Sequence, residues 1–145
     1  MKHLIIKLGI AGVILGLIAA ALVFKFVVNK PHRDYEKTKA AFTLLAADLF
    51  QEYRTDRTKA ETTFNGQVVQ LNGRIDRIEQ IDSLMVGVFV FDTGIFGDEG
   101  VRCTMLPNHE NSLLNLAEGT EARIKGYVTG FNDTDVILEK CSVVY

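Results

Sequence analysis

Residues 69 to 76, which read Val-Gln-Leu-Asn-Gly-Arg-Ile-Asp, decide the fold class of this chain. Apolar residues or glycine occupy every second position, and polar residues occupy the positions between them. This period of two is typical of a β-strand with one face buried and the other in water. The stretch follows Asn65-Gly66, a dipeptide typical of turns, so the chain changes from helical to β structure at this point.

The residues after this strand supply four more strands and one helix. Strands are predicted at about residues 84 to 91, 101 to 105, 122 to 128 and 136 to 144. A short helix is predicted at about residues 108 to 117, which include Leu113, Leu114 and Leu116. Five strands with a helix between the third and fourth is the order of the OB fold, a Greek-key barrel. The predicted fold is therefore mainly β.

The first and fourth strands share a spacing of apolar residues around a glycine. The pattern is Val69, Leu71, Gly73 and Ile75 in one strand, and Ala122, Ile124, Gly126 and Val128 in the other. Glycine inside a strand usually marks a bulge or a sharp bend where a sheet folds over to close. The two strands fit a small closed barrel, and chance similarity between two amphipathic strands is the alternative.

Two short helices are predicted before the β region, within residues 43 to 65. Thr43 is expected to cap the first helix, and Asp56 is expected to cap the second, which ends near Phe64. The apolar residues of the first helix recur at helical spacing; they are Leu44, Leu45, Leu49, Phe50 and Tyr53. Residues 31 to 42 are charged and are predicted to form a linker, and residues 66 to 145 are predicted to form the barrel domain.

Residues 1 to 30 are predicted to be an N-terminal transmembrane anchor. Leu8 to Phe24 is a run of 17 uncharged residues flanked by lysines, at the short end of what spans a bilayer. A cleaved signal peptide is the alternative, because Lys2 and Lys7 form a basic start and residues 19 to 21 are alanines. The anchor is favoured because the apolar character continues after these alanines. No cysteine follows the run, so a lipid-modified N-terminus is not expected.

The side of the membrane is indicated less directly. Two Lys or Arg precede the segment and five follow it closely, which by the positive-inside rule would place the domain in the cytoplasm. A short basic start followed directly by an apolar segment is also the form of an uncleaved export signal. We favour the second interpretation, a single-pass protein with its soluble domain outside the cytoplasm.

The charge is distributed unevenly along the chain. Residues 1 to 65 contain ten Lys or Arg and six acids, a net charge of +4, whereas residues 66 to 145 contain six and twelve, a net charge of −6. Basic residues beside a bilayer are explained by attraction to anionic lipid. Because Lys and Arg contacts dominate binding to a phosphate backbone, the acidic domain makes nucleic acid an improbable partner.

The outer face of the second and third strands is one candidate ligand site. OB domains that bind single strands use aromatic side chains there, together with basic residues. Strand 2 is apolar on both faces, so either Phe89 and Phe91 or Val88 and Val90 point away from the core. A ligand stacked on Phe89 and Phe91, near Arg102 and Arg74, would cover that face. The alternative, which we favour, is that the protein's own helix pair covers it.

The loops are a second candidate site. Phe96 lies between strands 2 and 3 and Phe131 between strands 4 and 5, each among glycines and acids, where they could form a recognition rim. Asn132, Asp133 and Asp135 carry oxygens of the kind that calcium prefers, but their spacing matches no full calcium loop. A tight turn built on the Asn side chain is the favoured interpretation, and no metal or cofactor is expected.

Cys103 and Cys141 fall on the third and fifth strands, which are neighbours in an OB barrel. A disulfide between them would require Cα atoms within about 4.4 to 6.8 Å and would suit an oxidising compartment. A pair of reduced, buried thiols is the alternative. The histidines, His3, His32 and His109, have no spacing typical of a metal site or a triad, so enzyme activity is not expected.

The chain resembles the tRNA_anti-like group of small bacterial OB-fold proteins over about residues 40 to 145. The resemblance lies in residues 44 to 53, in the strand with Gly73, and in residues 100 to 104, 118 to 126 and 135 to 142. It implies the OB fold and kinship with anticodon-binding domains, and it assigns no catalytic or binding residue. We expect a membrane-tethered, non-catalytic module that binds an envelope protein or glycan; the alternative is a domain that binds single-stranded nucleic acid or tRNA.

Overall fold

The structure, a computed structural model, describes residues 2–25 and 34–145. The chain divides into two compact units, Met1–Arg33 and Asp34–Tyr145. Residues 26 to 30 of the predicted anchor and 31 to 33 of the predicted linker lie outside the described residues.

In the described part of the first unit, residues 2–25, helix α1 spans Lys2–Val23. Within residues 2–25 and 34–145, no helix combines the length and the apolar character that crossing a membrane requires. The predicted transmembrane helix is therefore not found. After Lys7, α1 contains 16 uncharged residues, Leu8–Val23. They form a helical segment about 24 Å long, which is shorter than the thickness of a hydrocarbon core, about 30 Å.

The second unit is built on a seven-stranded sheet with the strand order β1-β2-β6-β7-β5-β4-β3. The strands are β1 (Phe42–Leu45), β2 (Val68–Arg74), β3 (Arg77–Ile81), β4 (Leu84–Gly94), β5 (Gly97–Met105), β6 (Glu121–Phe131) and β7 (Asp135–Val143). Strand β1 runs parallel to β2, and β5 runs parallel to β7, whereas the other neighbours are antiparallel. The unit is mainly β, as predicted.

Three short helices accompany the sheet. They are α2 (Ala46–Thr55), α3 (Arg57–Phe64) and α4 (Glu110–Leu114), the last preceded by one turn of 3-10 helix at Pro107–His109. The Asp56 side chain accepts a hydrogen bond from the Lys59 backbone N–H at 3.1 Å, so the predicted cap of α3 is confirmed. Thr43, the predicted cap of α2, instead lies in β1. Residues 42 to 45 pair with residues 69 to 72 of β2, and this pairing extends the chain before the helix begins.

The strand pairing does not show the predicted closed barrel of five strands. The sheet has two ends, β1 and β3, and the strand predicted at residues 69 to 75 stops at Arg74. The Ile75 N–H then donates to the Thr120 carbonyl, and the Asp76 N–H donates to the Val88 carbonyl. The chain thereby leaves β6 and joins β4, so that β2 and β3 lie at opposite parts of an OB-like sheet.

The core is enclosed by alternate residues of β2, β4, β5, β6 and β7 together with α2 and Leu113 of α4. The two strand glycines allow close packing within it. A Cβ at Gly73 would lie 3.3 Å from the Ala46 Cβ and 3.4 Å from the Phe89 ring. Helix α2 therefore packs directly on the inner surface of the sheet, where its side chains meet Phe89.

Residues 34 to 41 pack against the same sheet. The Tyr35 ring contacts the Tyr127 ring edge-on at 5.2 Å. The Glu36 carboxylate lies 3.0 Å from His109 Nε2, and it also accepts a hydrogen bond from the Asn108 side chain at 3.0 Å. The close interaction with His109 is the main cause that lowers the Glu36 pKa. These contacts fix the part of the predicted linker that the structure describes.

Candidate interaction face

The candidate interaction face is the outer surface of β3, β4, β5 and the start of β7. Its centre is Val88, which is paired in register with Arg77 of β3 on one side and with Arg102 of β5 on the other. Val88 is buried but is not part of the core cluster, whereas Phe89 beside it belongs to that cluster. Flanking arginine side chains can cover such a residue with their aliphatic parts while the charged groups stay in water.

Both arginines of this face form ion pairs with carboxylates. Arg102 lies 2.7 Å from Glu79 and 3.2 Å from Asp135. Arg77 pairs with Asp98 and lies 3.3 Å from Glu79. Two guanidinium groups thus face three carboxylates, a net charge of −1.

The carboxylates raise the pKa values of both arginines above the usual value. The hydrogen bond with Asp98 raises the pKa of Arg77. Burial acts to lower the pKa of Arg102, but its interactions with Glu79 and Asp135 outweigh burial and raise it. Asp135 is itself buried and also accepts hydrogen bonds from the Gly100 N–H and the Thr134 hydroxyl. The positive charge of the face is therefore already neutralised within the protein.

Phe89 and Phe91, which belong to the predicted second strand and lie on β4 in the structure, have different surroundings. Phe89 has no exposed surface, so it offers no platform to a ligand in this structure. Phe91 lies at the irregularity in pairing between Val90 and Asp92. It is 37% exposed, and its ring lies 5.8 Å from the Phe50 ring of α2. Helix α2 thus covers part of Phe91. Because α2 packs on the inner surface of the sheet, this contact does not test the favoured alternative that the helix pair covers the outer face of this strand, which stays a prediction.

The remaining predicted site residues do not gather around Phe91. Arg74 lies at the end of β2, paired in register with Glu121 of β6, and its guanidinium is 3.8 Å from Asp76. Phe131 packs on Tyr53 with ring centres 5.6 Å apart, and the Arg57 guanidinium lies over the Phe131 ring, 5.5 Å from its centre. Their binding roles stay predictions.

Phe96, unlike Phe89, Phe91 and Phe131, lies in an exposed turn. Gly94 pairs with Gly97, so Ile95 and Phe96 alone form the turn between β4 and β5. Ile95 is 93% exposed and Phe96 is 85% exposed. We call these two residues the hairpin tip. Behind it, Arg54 of α2 pairs with Asp92 and Glu99, one carboxylate on each strand of the hairpin.

The acidic loop before β7 has the hydrogen bonds of a turn. The Asn132 side-chain oxygen accepts from the backbone N–H groups of Thr134, at 3.2 Å, and Asp135, at 2.7 Å. In the part of the chain that the structure describes, no group of three or more His, Cys, Asp or Glu residues is arranged to hold a metal ion.

Cys103 and Cys141 are buried side by side as free thiols. Burial, followed by the hydrogen bond with Cys103, raises the pKa of Cys141 well above its usual value. The alternative of reduced, buried thiols therefore describes this structure, and a disulfide between them stays a prediction.

Sequence reasoning missed most of the ion pairs on the interaction face. Arg77 and Glu79 lie on β3, which is not predicted from the sequence; the available signal is Asp82-Ser83, two residue types that are common in turns. For Asp135 the sequence indicates a place in a turn, or an oxygen ligand for calcium, and not an ion pair. Its pairing with Arg102 depends on β5 lying beside β7, which a local pattern does not indicate.

The fold and this face define an OB-like β protein with short accompanying helices. The sequence profile of the tRNA_anti-like family matches residues 1–143, and the chain belongs to that family. No curated protein matches the chain. A crystal structure described as a "putative nucleic acid-binding lipoprotein", from Klebsiella pneumoniae subsp. pneumoniae MGH 78578, is similar with a TM-score of 0.55 and 20% identity. The match covers 80% of this chain and all of that one, and it shows a shared fold.

Proposed function

We propose that this protein is a membrane-tethered, OB-like module of the cell envelope that binds a protein partner through the hairpin tip and the interaction face. The observation that carries the proposal is the exposure of Ile95 and Phe96 in a two-residue turn between two paired strands. Large apolar side chains held in water on a rigid hairpin are typical of contact surfaces. The pairing of Arg54 with Asp92 and Glu99 fixes the base of this hairpin against α2.

The interaction face favours a protein over a polyanion. Phosphate backbones are bound by lysines and arginines that are free to replace counterions. Here Arg77 and Arg102 are already paired with three carboxylates, so a phosphate would have to displace those partners and approach a face of net negative charge. A partner with polar groups around an apolar pocket would meet no such repulsion.

Attachment to the membrane is assigned to the apolar N-terminal segment. Its support is the uncharged run from Leu8 to Phe24 with lysines on both sides, and the printed description of the Klebsiella protein as a lipoprotein agrees with an envelope location. We place the second unit outside the cytoplasm. The chain is proposed to act by binding and not by catalysis. The Cys141 thiol, which is buried with a raised pKa, is a poor nucleophile.

A second candidate function is binding of single-stranded nucleic acid, and the observation that favours it is the description of the Klebsiella protein as nucleic acid-binding. Phe96 and Phe91 could then stack with bases. This function requires free cations beside those rings, but Arg54, at the base of the hairpin, and Arg102, on the interaction face, are ion-paired.

Two measurements test the proposal. Carbonate extraction of membranes should leave the full-length chain in the membrane fraction; recovery in the soluble extract would contradict the tether. A photoreactive residue in place of Phe96 should cross-link one discrete envelope protein, whereas the same residue in place of Leu114, which is exposed on α4, should not. Cross-links to nucleic acid, or no discrete cross-link from Phe96, would contradict the proposed partner.

A further inference from the structure

A groove of about 550 Å³ lies away from the interaction face, where β2, β6 and β7 meet the residues after α4. Its lining includes Asn72, Leu116, Ala122, Arg123, Val143 and Tyr145. The volume lies within the range of about 300 to 1,000 Å³ that is common for ligand pockets. None of these residues belongs to β4 or β5, so the groove does not depend on the hairpin tip.

We propose that this groove binds the C-terminal residue of a polypeptide when that residue is apolar and its carboxylate is free. The apolar part of the groove is fixed by the core. Ala122 and Val143 are buried members of the core cluster, and Leu116 packs against that cluster. They offer an apolar surface that cannot easily rearrange, and covering it with an apolar side chain removes it from water.

The polar part of the groove is a pair of residues directly opposite each other. Asn72 of β2 is in register with Arg123 of β6, so their Cβ atoms are about 5 Å apart. Among the described residues, no carboxylate lies within 4.0 Å of the Arg123 guanidinium. The Asn72 side-chain oxygen is buried without a hydrogen-bond partner, so turning this amide toward a ligand breaks no hydrogen bond of its oxygen.

A terminal peptide residue matches this arrangement. Its N–H can donate to the Asn72 oxygen, its carboxylate can accept two hydrogen bonds from Arg123, and its side chain can enter the apolar part. In a terminal residue all three groups are attached to one Cα atom. They are therefore close enough together to reach Asn72 and Arg123, which are adjacent. A fatty acid lacks the donor, and a peptide amide lacks the negative charge.

The negative charge of Glu121 affects a carboxylate ligand and an amine ligand in opposite ways. It also lines the groove and lies two residues before Arg123 on the same face of β6, opposite Arg74. A bound carboxylate is repelled by Glu121, and this repulsion is offset in part by Arg74. Removing the charge of Glu121 should therefore tighten the binding of a carboxylate and weaken the binding of an ammonium group.

The test uses the full chain in a non-ionic detergent and a peptide that ends in Ala-Ala-Leu, with fluorescein on its N-terminus. Fluorescence anisotropy should show binding of the free-carboxylate form and binding weaker by roughly tenfold or more for the C-terminal amide. Arg123→Gln should reduce the affinity for the carboxylate form to that for the amide. Lys59→Gln, which removes the same charge on α3, should leave both affinities unchanged.

Two further variants test the proposed roles of Asn72 and Glu121 separately. Asn72→Asp should weaken binding of the carboxylate form, and Glu121→Gln should strengthen it. Thermal unfolding of each variant checks that it is folded. Equal affinities for the carboxylate and the amide, no binding of either at millimolar protein, or an unchanged affinity in Arg123→Gln would overturn the proposal. Because the hairpin tip is intact in all of these variants, cross-linking from Phe96 reports separately on the proposed function.

Discussion

The Cys141 side chain occupies the space beside Gly126, and a Cβ added at Gly126 would lie 2.4 Å from the Cys141 sulfur. The same Cβ would lie 3.3 Å from the Leu138 Cβ. Cys141 and Leu138 are both fully buried, so neither can move into solvent. The glycine in the middle of β6 therefore allows β7 side chains to fill the core.

Replacing this glycine should destabilise the fold. Gly126→Ala is expected to lower the free energy of unfolding by about 1 to 3 kcal/mol, the usual cost of overpacking a core. Urea denaturation of the full chain followed by circular dichroism measures it. The second substitution in Gly126→Ala/Cys141→Ala should recover part of the loss, since it removes the sulfur that the new methyl group meets. A Gly126→Ala variant as stable as the parent would contradict this packing.

The ion pairs of Arg102 should contribute to stability. Arg102→Met leaves the buried Asp135 carboxylate without its guanidinium partner, and it should cost about 1 to 3 kcal/mol of unfolding free energy. Arg74→Met is the matched control, because Arg74 is 65% exposed and its nearest carboxylate is 3.8 Å away; its effect should stay within about 0.5 kcal/mol. Equal effects of the two substitutions would show that Asp135 does not depend on Arg102.

Two phenylalanines of the β4–β5 hairpin should differ sharply in their effect on stability. Phe89→Ala removes a side chain with no exposed surface and should cost about 3 to 5 kcal/mol. Phe96→Ala removes a side chain at the hairpin tip and should change the unfolding free energy by less than about 0.5 kcal/mol. Thermal and urea denaturation of both variants measure the difference. A large loss in Phe96→Ala would mean that the tip packs within the protein.

Alkaline pH should destabilise the protein partly through Tyr53. Burial, with a smaller contribution from the charge of Glu61, raises the pKa of Tyr53 from 10.0 to about 12. Its hydroxyl donates to the Asn65 side-chain oxygen. Because the folded pKa is above the unfolded pKa, the contribution of Tyr53 to stability is complete below pH 10 and is lost as pH rises toward about 12.

Tyr53→Phe tests this sign. Spectrophotometric titration of the parent should show one of its four tyrosines ionising later than the others, and the variant should lack that late step. The fall in unfolding free energy between pH 10 and 12 should also be smaller in the variant. If the late step persists in Tyr53→Phe, it belongs to another tyrosine.

The sequence predicted those features that depend on neighbouring residues. The alternation around Leu71 placed β2, and Asp56 placed the start of α3. Of the two glycines expected to mark a bulge or bend, Gly126 lies at an irregularity in pairing, whereas Gly73 lies in regular register with Ala122. The spacing of Leu44 and Leu45 predicts that they begin α2 after a cap at Thr43, yet pairing with β2 makes residues 42 to 45 a strand. In this case a partner 27 residues later in the chain decided the conformation, as the register of Phe42 with Val69 shows.

The candidate site was harder to predict than the strands. Phe96 was recognised because glycines and acids surround it, which is a local signal. The neutralisation of Arg102 was not recognised, because Glu79 reaches it from β3 and Asp135 from β7. Whether an arginine is free or paired depends on the strand order, and that order is fixed by long-range pairing. The closed barrel was wrong for a related reason, since the break after Arg74 depends on bonds to residues 88 and 120.

The most direct test of the central claim is the affinity of the full chain for a fluorescent single-stranded oligonucleotide, DNA or RNA, measured over a series of salt concentrations. Because the arginines of the interaction face are already paired with carboxylates, we expect no binding at physiological salt and no steep dependence on salt. Tight binding that weakens steeply as salt increases, and that is reduced in Arg102→Met, would contradict the account and favour nucleic acid as the partner.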